Sequence, residues 1–235
     1  MKKRTLAPEL MDDPALNEKC LKEALADVSL VNKWLGGQKI TFEGLDYFFN
    51  KYVQHQYSIA DLGCGDGEML RKMADYCRKR GVKCKFLGLD LNPKSIALAN
   101  ERSEGYPEIE YRQKNILELD TTEGKLDIIT TTLTMHHFTD EEILVFLKRF
   151  GELSLLGWVV NDLHRSRIAS VLFRGFSRIF MKTHIARYDG EVSIKRAFTK
   201  QELTTFASQL GLTEYKIGWR WAFRYLWITD MRAQK

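Results

Sequence analysis

The 235-residue sequence is poor in the residues that staple or interrupt a fold, with four cysteines and four prolines. Cys20, Cys64, Cys77 and Cys84 show no CxxC spacing, so neither a zinc motif nor a disulfide framework is indicated. No apolar run reaches the roughly 18 residues of a membrane span. Met1-Lys2-Lys3-Arg4-Thr5 leads into polar sequence, not into the apolar stretch of a signal peptide. A cytoplasmic location is therefore expected. Repeats, low-complexity tracts and linkers are also missing. One further lack is local. Between His164 and Tyr188 there is no acid, although Arg165, Arg167, Arg174, Arg178, Lys182 and Arg187 all fall there. Over the whole chain, 36 Lys and Arg against 31 Asp and Glu leave a mild excess of +5.

What remains is the composition of a soluble globular protein, 44% hydrophobic and 29% charged, long enough for a self-supporting core. The first 14 residues read as an irregular arm. Asp13 is placed to cap a helix that starts at Pro14 and turns Leu16, Cys20, Ala24 and Leu25 to one side. Gly36-Gly37 stops a short helix containing Val31, Trp34 and Leu35, and Leu45, Phe48, Phe49 and Tyr52 share a face of the next. From Tyr57 the pattern changes to strands alternating with helices. Strands are expected at 58–62, 85–90, 109–113, 126–131 and 156–163, then a closing hairpin near 214–218 and 223–229. Asn92-Pro93 opens one helix, and Thr139–Glu142 and Thr199–Glu202 are capping boxes on two others. This order predicts an α/β fold, a Rossmann-like seven-stranded sheet that is mostly parallel with an antiparallel last strand. The expected organisation is a helical cap over residues 1–56 and a main domain over 57–235, with a lid insertion at 164–198. Such sheets bind ligands at the carboxyl ends of their strands, beside the first one.

Asp61-Leu-Gly63-Cys-Gly65-Asp-Gly67 stands at that place, between the first strand and its helix. Its glycines permit a sharp turn and close approach of backbone to a ligand. The spacing is GxGxG, unlike the GxGxxG that seats a pyrophosphate, and Asp61 suits a ligand carrying an ammonium group. Asp90 closes the second strand, where a carboxylate can accept both hydroxyls of a ribose. Asn115-Ile116 can hydrogen-bond an adenine edge and pack on its face.

IADLGCGDGEML (59–70), FLGLDLN (86–92), KNILEL (114–119) and LDIITTTLTMHHF (126–138) together resemble the class I S-adenosylmethionine-dependent methyltransferases, particularly the small-molecule type. The resemblance implies that Gly63, Gly65 and Gly67 with Asp61 hold the methionine portion of S-adenosylmethionine. Asp90 and Leu91 then lie at its ribose side, Asn115 and Ile116 at its adenine, and Thr132 beside the cofactor. Many relatives have Asp where this chain has Asn115. VNKWLGG (31–37), NDLHRSRIAS (161–170) and SIKRAFTKQEL (193–203) look like a bacterial branch that works beside polyketide synthases on phenolic or lipid-like products. The implied activity is methylation of a small, hydrophobic, phenolic molecule at oxygen. The alternatives are an RNA-modifying enzyme and a non-catalytic cofactor-binding scaffold.

A phenol of pKa near 10 needs a base, and histidine is the natural one at neutral pH. His164, after the fifth strand, either serves as that base or makes a structural hydrogen bond. His136 and His137, after the fourth strand, either act in catalysis or cap and pack the next helix. Asn161, Asp162 and His164 alternate faces along a strand and cannot converge on a metal, so no metal is expected. The basic stretch 164–188 has three readings: a lid with Val171, Leu172, Phe176, Ile179 and Phe180 facing an apolar substrate, a helix making transient membrane-surface contact, or an RNA patch. The lid is preferred, a small hydrophobic substrate is the expected partner, and nucleic acid is not.

Overall fold

A computed structural model of the protein describes residues 1, 3–13, 15–119 and 124–234. Seven strands form one sheet in the order β3-β2-β1-β4-β5-β7-β6. They are β1 (Tyr57–Leu62), β2 (Cys84–Asp90), β3 (Ile109–Gln113), β4 (Leu126–Thr132), β5 (Ser154–Leu163), β6 (Tyr215–Arg220) and β7 (Arg224–Asp230). The first five are parallel to one another, and β7 runs antiparallel to both β5 and β6. The hairpin predicted from the last two strands thus inserts its second strand against β5.

Side-chain alternation along the central strands builds two cores. Ile59, Ile128 and Val159 point to one face and meet Phe48 and Leu45 of α2 (Gly37–Lys51) and Leu70 and Met73 of α3 (Glu68–Arg80), following α1 (Glu18–Trp34) in the chain. Ala60, Ile129, Trp158 and Val160 point to the other. Beyond α4 (Pro93–Arg102), that second core is closed by Phe146 and Phe150 of α5 (Asp140–Leu153) and Phe206 of α8 (Lys200–Gln209). Between β5 and α8 the chain forms α6 (Arg167–Phe180) and α7 (His184–Arg196). Phe146, Phe150 and Trp158 are fully buried, each worth about 1.5–3 kcal/mol of transfer free energy.

Local signals set most helix ends. Asn92 caps α4 with Pro93 in its first turn, and both predicted capping boxes are formed, Thr139 with Glu142 and Thr199 with Glu202. The first helix departs from expectation. It begins at Glu18 with Asn17 as its cap, because the Asp13 carboxylate is already engaged by the Ala15 N–H at 2.8 Å in a separate turn. Pro14, its expected first residue, lies outside the described residues. The helix also runs unbroken to Trp34, since no glycine or proline interrupts residues 26–30.

The expected orientation of α6 is reversed. Val171, Leu172, Ile179 and Phe180 are exposed, whereas Ala169, Ser170 and Ser177 are the buried residues. Gly190 lets Phe173 reach across to α7, and small residues on this face allow the two helices to approach closely. Packing against α7 therefore sends the large apolar side chains outward.

Candidate active site

The loop after β1 is tied down at its base, where Gly63 and Cys64 donate backbone hydrogen bonds to Leu89 O at 2.8 and 3.1 Å. A side chain at position 63 would overlap Thr134, and one at 67 would overlap Tyr111. Gly65 differs. It has a φ of +54° and open space where a Cβ would stand, so its freedom serves the cleft and not the packing. The Gly65 N–H donates to Asp90 Oδ2 at 2.8 Å, and the Asn92 N–H donates to Asp90 Oδ1 at 2.9 Å. Burial raises the Asp90 pKa against the pull of these two donors. Both oxygens keep lone pairs for a ligand.

Leu91 is 64% exposed on the lip beside Asp90. Asn115 closes its own turn, accepting from the Leu117 N–H at 3.1 Å and donating to Glu118 at 2.7 Å, while Ile116 is buried. Asp61 lies behind the loop. It is 2% exposed, accepts a hydrogen bond from Thr130 at 2.8 Å, and burial pushes its pKa up to about 7. Thr132 ends β4 with its hydroxyl 3.1 Å from that of Thr41 on α2. The nucleotide-side residues Asp90, Leu91, Asn115 and Ile116 thus gather at the ends of β2 and β3, with Gly65 and Thr132 at the ends of β1 and β4.

The two histidine candidates part company. The His164 ring packs between Phe223 and Tyr225, with centroids 6.4 and 5.1 Å away, and burial beside Arg165 lowers its pKa. Its Nδ1 is buried without a hydrogen-bond partner among the described residues. His136 is 1% exposed, and its Nδ1 lies 2.7 Å from Asp162 Oδ1. Its Nε2 faces Glu9 Oε1 at 3.5 Å. Burial opposes the imidazolium, but the charge and hydrogen bond of Asp162, with Glu9, outweigh it and raise the His136 pKa to about 9. Asn161 points to the opposite face, where its amide donates to Gly37 O at 2.8 Å and Thr41 at 2.9 Å. Alternation separates it from Asp162, as the strand requires.

Glu9 belongs to a strap formed by residues 3–13, which fall in the stretch of 14 expected to be an irregular arm. A one-turn 3₁₀ helix, Leu10–Asp12, is capped by Asp189 of α7, which accepts from Leu10 N–H at 2.7 Å and Met11 N–H at 2.9 Å. Arg4 donates to Phe138 O at 2.7 Å and pairs with Asp140 at 2.5 Å. Arg196 donates to His136 O at 3.0 Å and to Ala7 O at 2.8 Å. Beyond Glu9, Asp12 meets His137 Nδ1 at 3.0 Å, and both are near enough to act on the charge of Asp90. Lys94 then donates to Leu16 O at 2.8 Å. The strap therefore runs from the histidine turn across to the start of α4. No motif announces it, because every contact spans more than a hundred residues or ends on backbone.

Glu9, His136 and His137 also bring three ligand-type atoms within 4.8 Å of one another, a convergence built by the strap and a different set from Asn161, Asp162 and His164. A proton on His136, held between two carboxylates, meets the charge balance there. Arg224 is a second buried group not anticipated from sequence. It is 3% exposed, donates to Asn161 Oδ1 at 3.4 Å, and burial lowers its pKa to about 10.

Residues 59–153 match the family model described as a methyltransferase domain. No curated protein matches the chain in sequence. Among solved structures, the plantazolicin methyltransferase BpumL in complex with SAH is 14% identical with a TM-score of 0.65, covering 87% of this chain and 89% of that one. A SAM-dependent methyltransferase from Aquifex aeolicus is 14% identical with a TM-score of 0.63 over 93% and 98%. Magnesium protoporphyrin IX methyltransferase from Synechocystis PCC 6803 with bound SAH is 13% identical with a TM-score of 0.56 over 83% of each chain. At such identities the likeness is one of fold. The open cradle over Gly65 and the carboxylate of Asp90 fit the same cofactor. The segment from β1 to α5 matches a methyltransferase domain, and the chain shares its fold with S-adenosylmethionine-dependent methyltransferases.

Proposed function

We propose that this methyltransferase acts on the oxygen of a small hydrophobic acceptor, phenolic or lipid-like, with His136 as the general base. The observation that carries this reading is the buried His136–Asp162 pair at the carboxyl ends of β4 and β5. Asp162 accepts from Nδ1, so the neutral ring keeps its lone pair on Nε2, the atom without a hydrogen-bond partner among the described residues. Bound S-adenosylmethionine supplies a methyl group on a sulfonium that is already a good leaving group, so the protein contributes position and proton removal. Gly65 leaves the methionine portion its space, Asp90 accepts from the ribose hydroxyls with Leu91 beside it, and Asn115 and Ile116 hold the adenine. Asp61, Gly63 and Gly67 shape the loop from behind, and Thr132 flanks the reacting end. His136 Nε2 would take the acceptor hydroxyl's proton, and Asp162 and Glu9 would hold the resulting imidazolium. A base of pKa about 9 facing a phenol of about 10 exchanges the proton at small cost.

An apolar acceptor is supported by the aromatic edge where Trp34 meets Phe176 and Phe180 at 6.2 and 5.1 Å. The segment 164–198 bounds the cleft on that side as a lid. Neighbours named for plantazolicin and for magnesium protoporphyrin IX give the small-molecule reading its precedent. His164 serves better as a packing group, since its ring lies against Phe223 and Tyr225 and its Nδ1 has no hydrogen-bond partner among the described residues. The test is a panel of phenolic and lipid acceptors with labelled cofactor. Label on an acceptor oxygen, lost in His136→Ala and retained in His164→Ala, is expected. Transfer only to carbon or nitrogen acceptors, or full turnover without His136, overturns the reading.

A further inference from the structure

We infer that α6 is a docking surface for an anionic lipid bilayer, holding the mouth of the active site against the membrane. Ordinary surface helices turn their large apolar residues inward. In α6, Ile168, Leu172 and Ile179 form one ridge with Val171 beside it, and their exposures are 65, 54, 76 and 65%. The side facing the protein is made of Ala169, Ser170 and Ser177. The helix is therefore amphipathic twice over, with a small buried face and a large apolar face that no described residue covers.

Charge selects the occupant. Arg167, Arg174 and Arg178 share the ridge next to the apolar one at helical spacing. Arg174 is paired with Glu191 at 3.3 Å, whereas Arg167 and Arg178 have no acidic partner within 4 Å among the described residues. Lys182 extends the positive flank, and no acid occurs from 164 to 188. An apolar ridge bordered by cations is the arrangement that seats a helix in the headgroup layer of an anionic leaflet. Tryptophan, which favours that layer, is exposed on both sides of it. Trp34 caps one edge through Phe180, and Trp219 near the end of β6 and Trp221 in the β6–β7 turn stand at the same carboxyl end of the sheet. A single helix of 14 residues, about 21 Å long, offers less than the roughly 800 Å² per partner of a standard protein interface, and a second copy would bring like charges together.

The inference deepens the lipid-like acceptor reading, since such a molecule would enter the cleft from the bilayer, but it is tested without acceptor or cofactor. The full chain is sedimented with vesicles of phosphatidylcholine, with and without phosphatidylglycerol. Binding to the anionic vesicles that weakens with salt is expected. Arg167→Glu with Arg178→Glu is expected to weaken it at least about thirty-fold, two surface cations at about 1 kcal/mol each. Leu172→Ser with Ile179→Ser is expected to abolish it while the melting temperature holds. Failure of the unmodified chain to bind anionic vesicles overturns the inference. So does binding indifferent to both variant pairs, a dimer that the serine pair dissolves with no vesicle binding, or binding to an RNA homopolymer alone. None of these outcomes touches the methyl-transfer reading, which depends on His136 and labelled acceptor.

Discussion

His136 Nδ1 and Asp162 Oδ1 lie 2.7 Å apart, joining the turn after β4 to the penultimate residue of β5 inside a site from which both are nearly excluded from solvent. General-base catalysis contributes typically 10²–10⁴-fold, so His136→Ala is expected to lose about that in turnover with cofactor affinity retained. Asp162→Asn keeps the shape but removes the charge, and is expected to lower kcat more than KM. Steady-state kinetics on the two variants, with calorimetry for the cofactor, checks this. Normal turnover in both moves the proton elsewhere.

The same pair makes a statement about pH. The imidazole of His136 titrates at 6.5 when unperturbed and near 9 in the folded protein, held up by Asp162 and Glu9 against burial. A raised folded value means that its contribution to stability is full below about 6.5 and is lost as the pH climbs through about 9. Melting temperature is therefore expected to fall over that window, and less so in His136→Ala. Methyl transfer, which needs the neutral ring, is expected to rise with pH toward about 9. Glu9→Gln removes one of the two carboxylates and is expected to move the kinetic midpoint down. A midpoint unmoved by Glu9→Gln would show that the strap has no hold on the base.

At the cofactor end, Asp90→Ala removes charge-assisted hydrogen bonds worth roughly 1.5–3 kcal/mol each, so affinity is expected to fall by about one to three orders of magnitude. Gly65→Val fills the open space but also strains a backbone at φ +54°. Gly65→Asn is the cleaner probe, since asparagine tolerates that conformation. It is expected to lose cofactor binding with a melting temperature close to that of the parent. Titration calorimetry on the three variants reads the outcome.

Arg196 holds the strap to the histidine turn through carbonyls of Ala7, His136 and His137. Arg196→Ala strands those acceptors and is expected to destabilise the protein by about 2–4 kcal/mol, with exchange protection lost first over residues 3–13. Hydrogen exchange resolved by peptide is the measurement. Uniform loss of protection would place the strap in the global unfolding unit instead.

Determinants acting within a few residues are legible in the sequence. The glycine loop, Asp90 at a strand end, Asn92-Pro93 and both capping boxes depend on neighbours in the chain, and strand alternation marked Asn161 and Asp162 as facing opposite ways. Three relationships were not legible, each for a physical reason. Glu9 meets His136 across 127 residues through a strap held largely by backbone atoms, which leave no pattern of side chains. His136 is proposed over His164 because Asp162 turns toward one ring while aromatic rings pack against the other. The apolar period of α6 was visible, but the period of a helix does not say which face is inward. Close packing against α7 chose the small residues for the interior, and so left Ile168, Leu172 and Ile179 facing out.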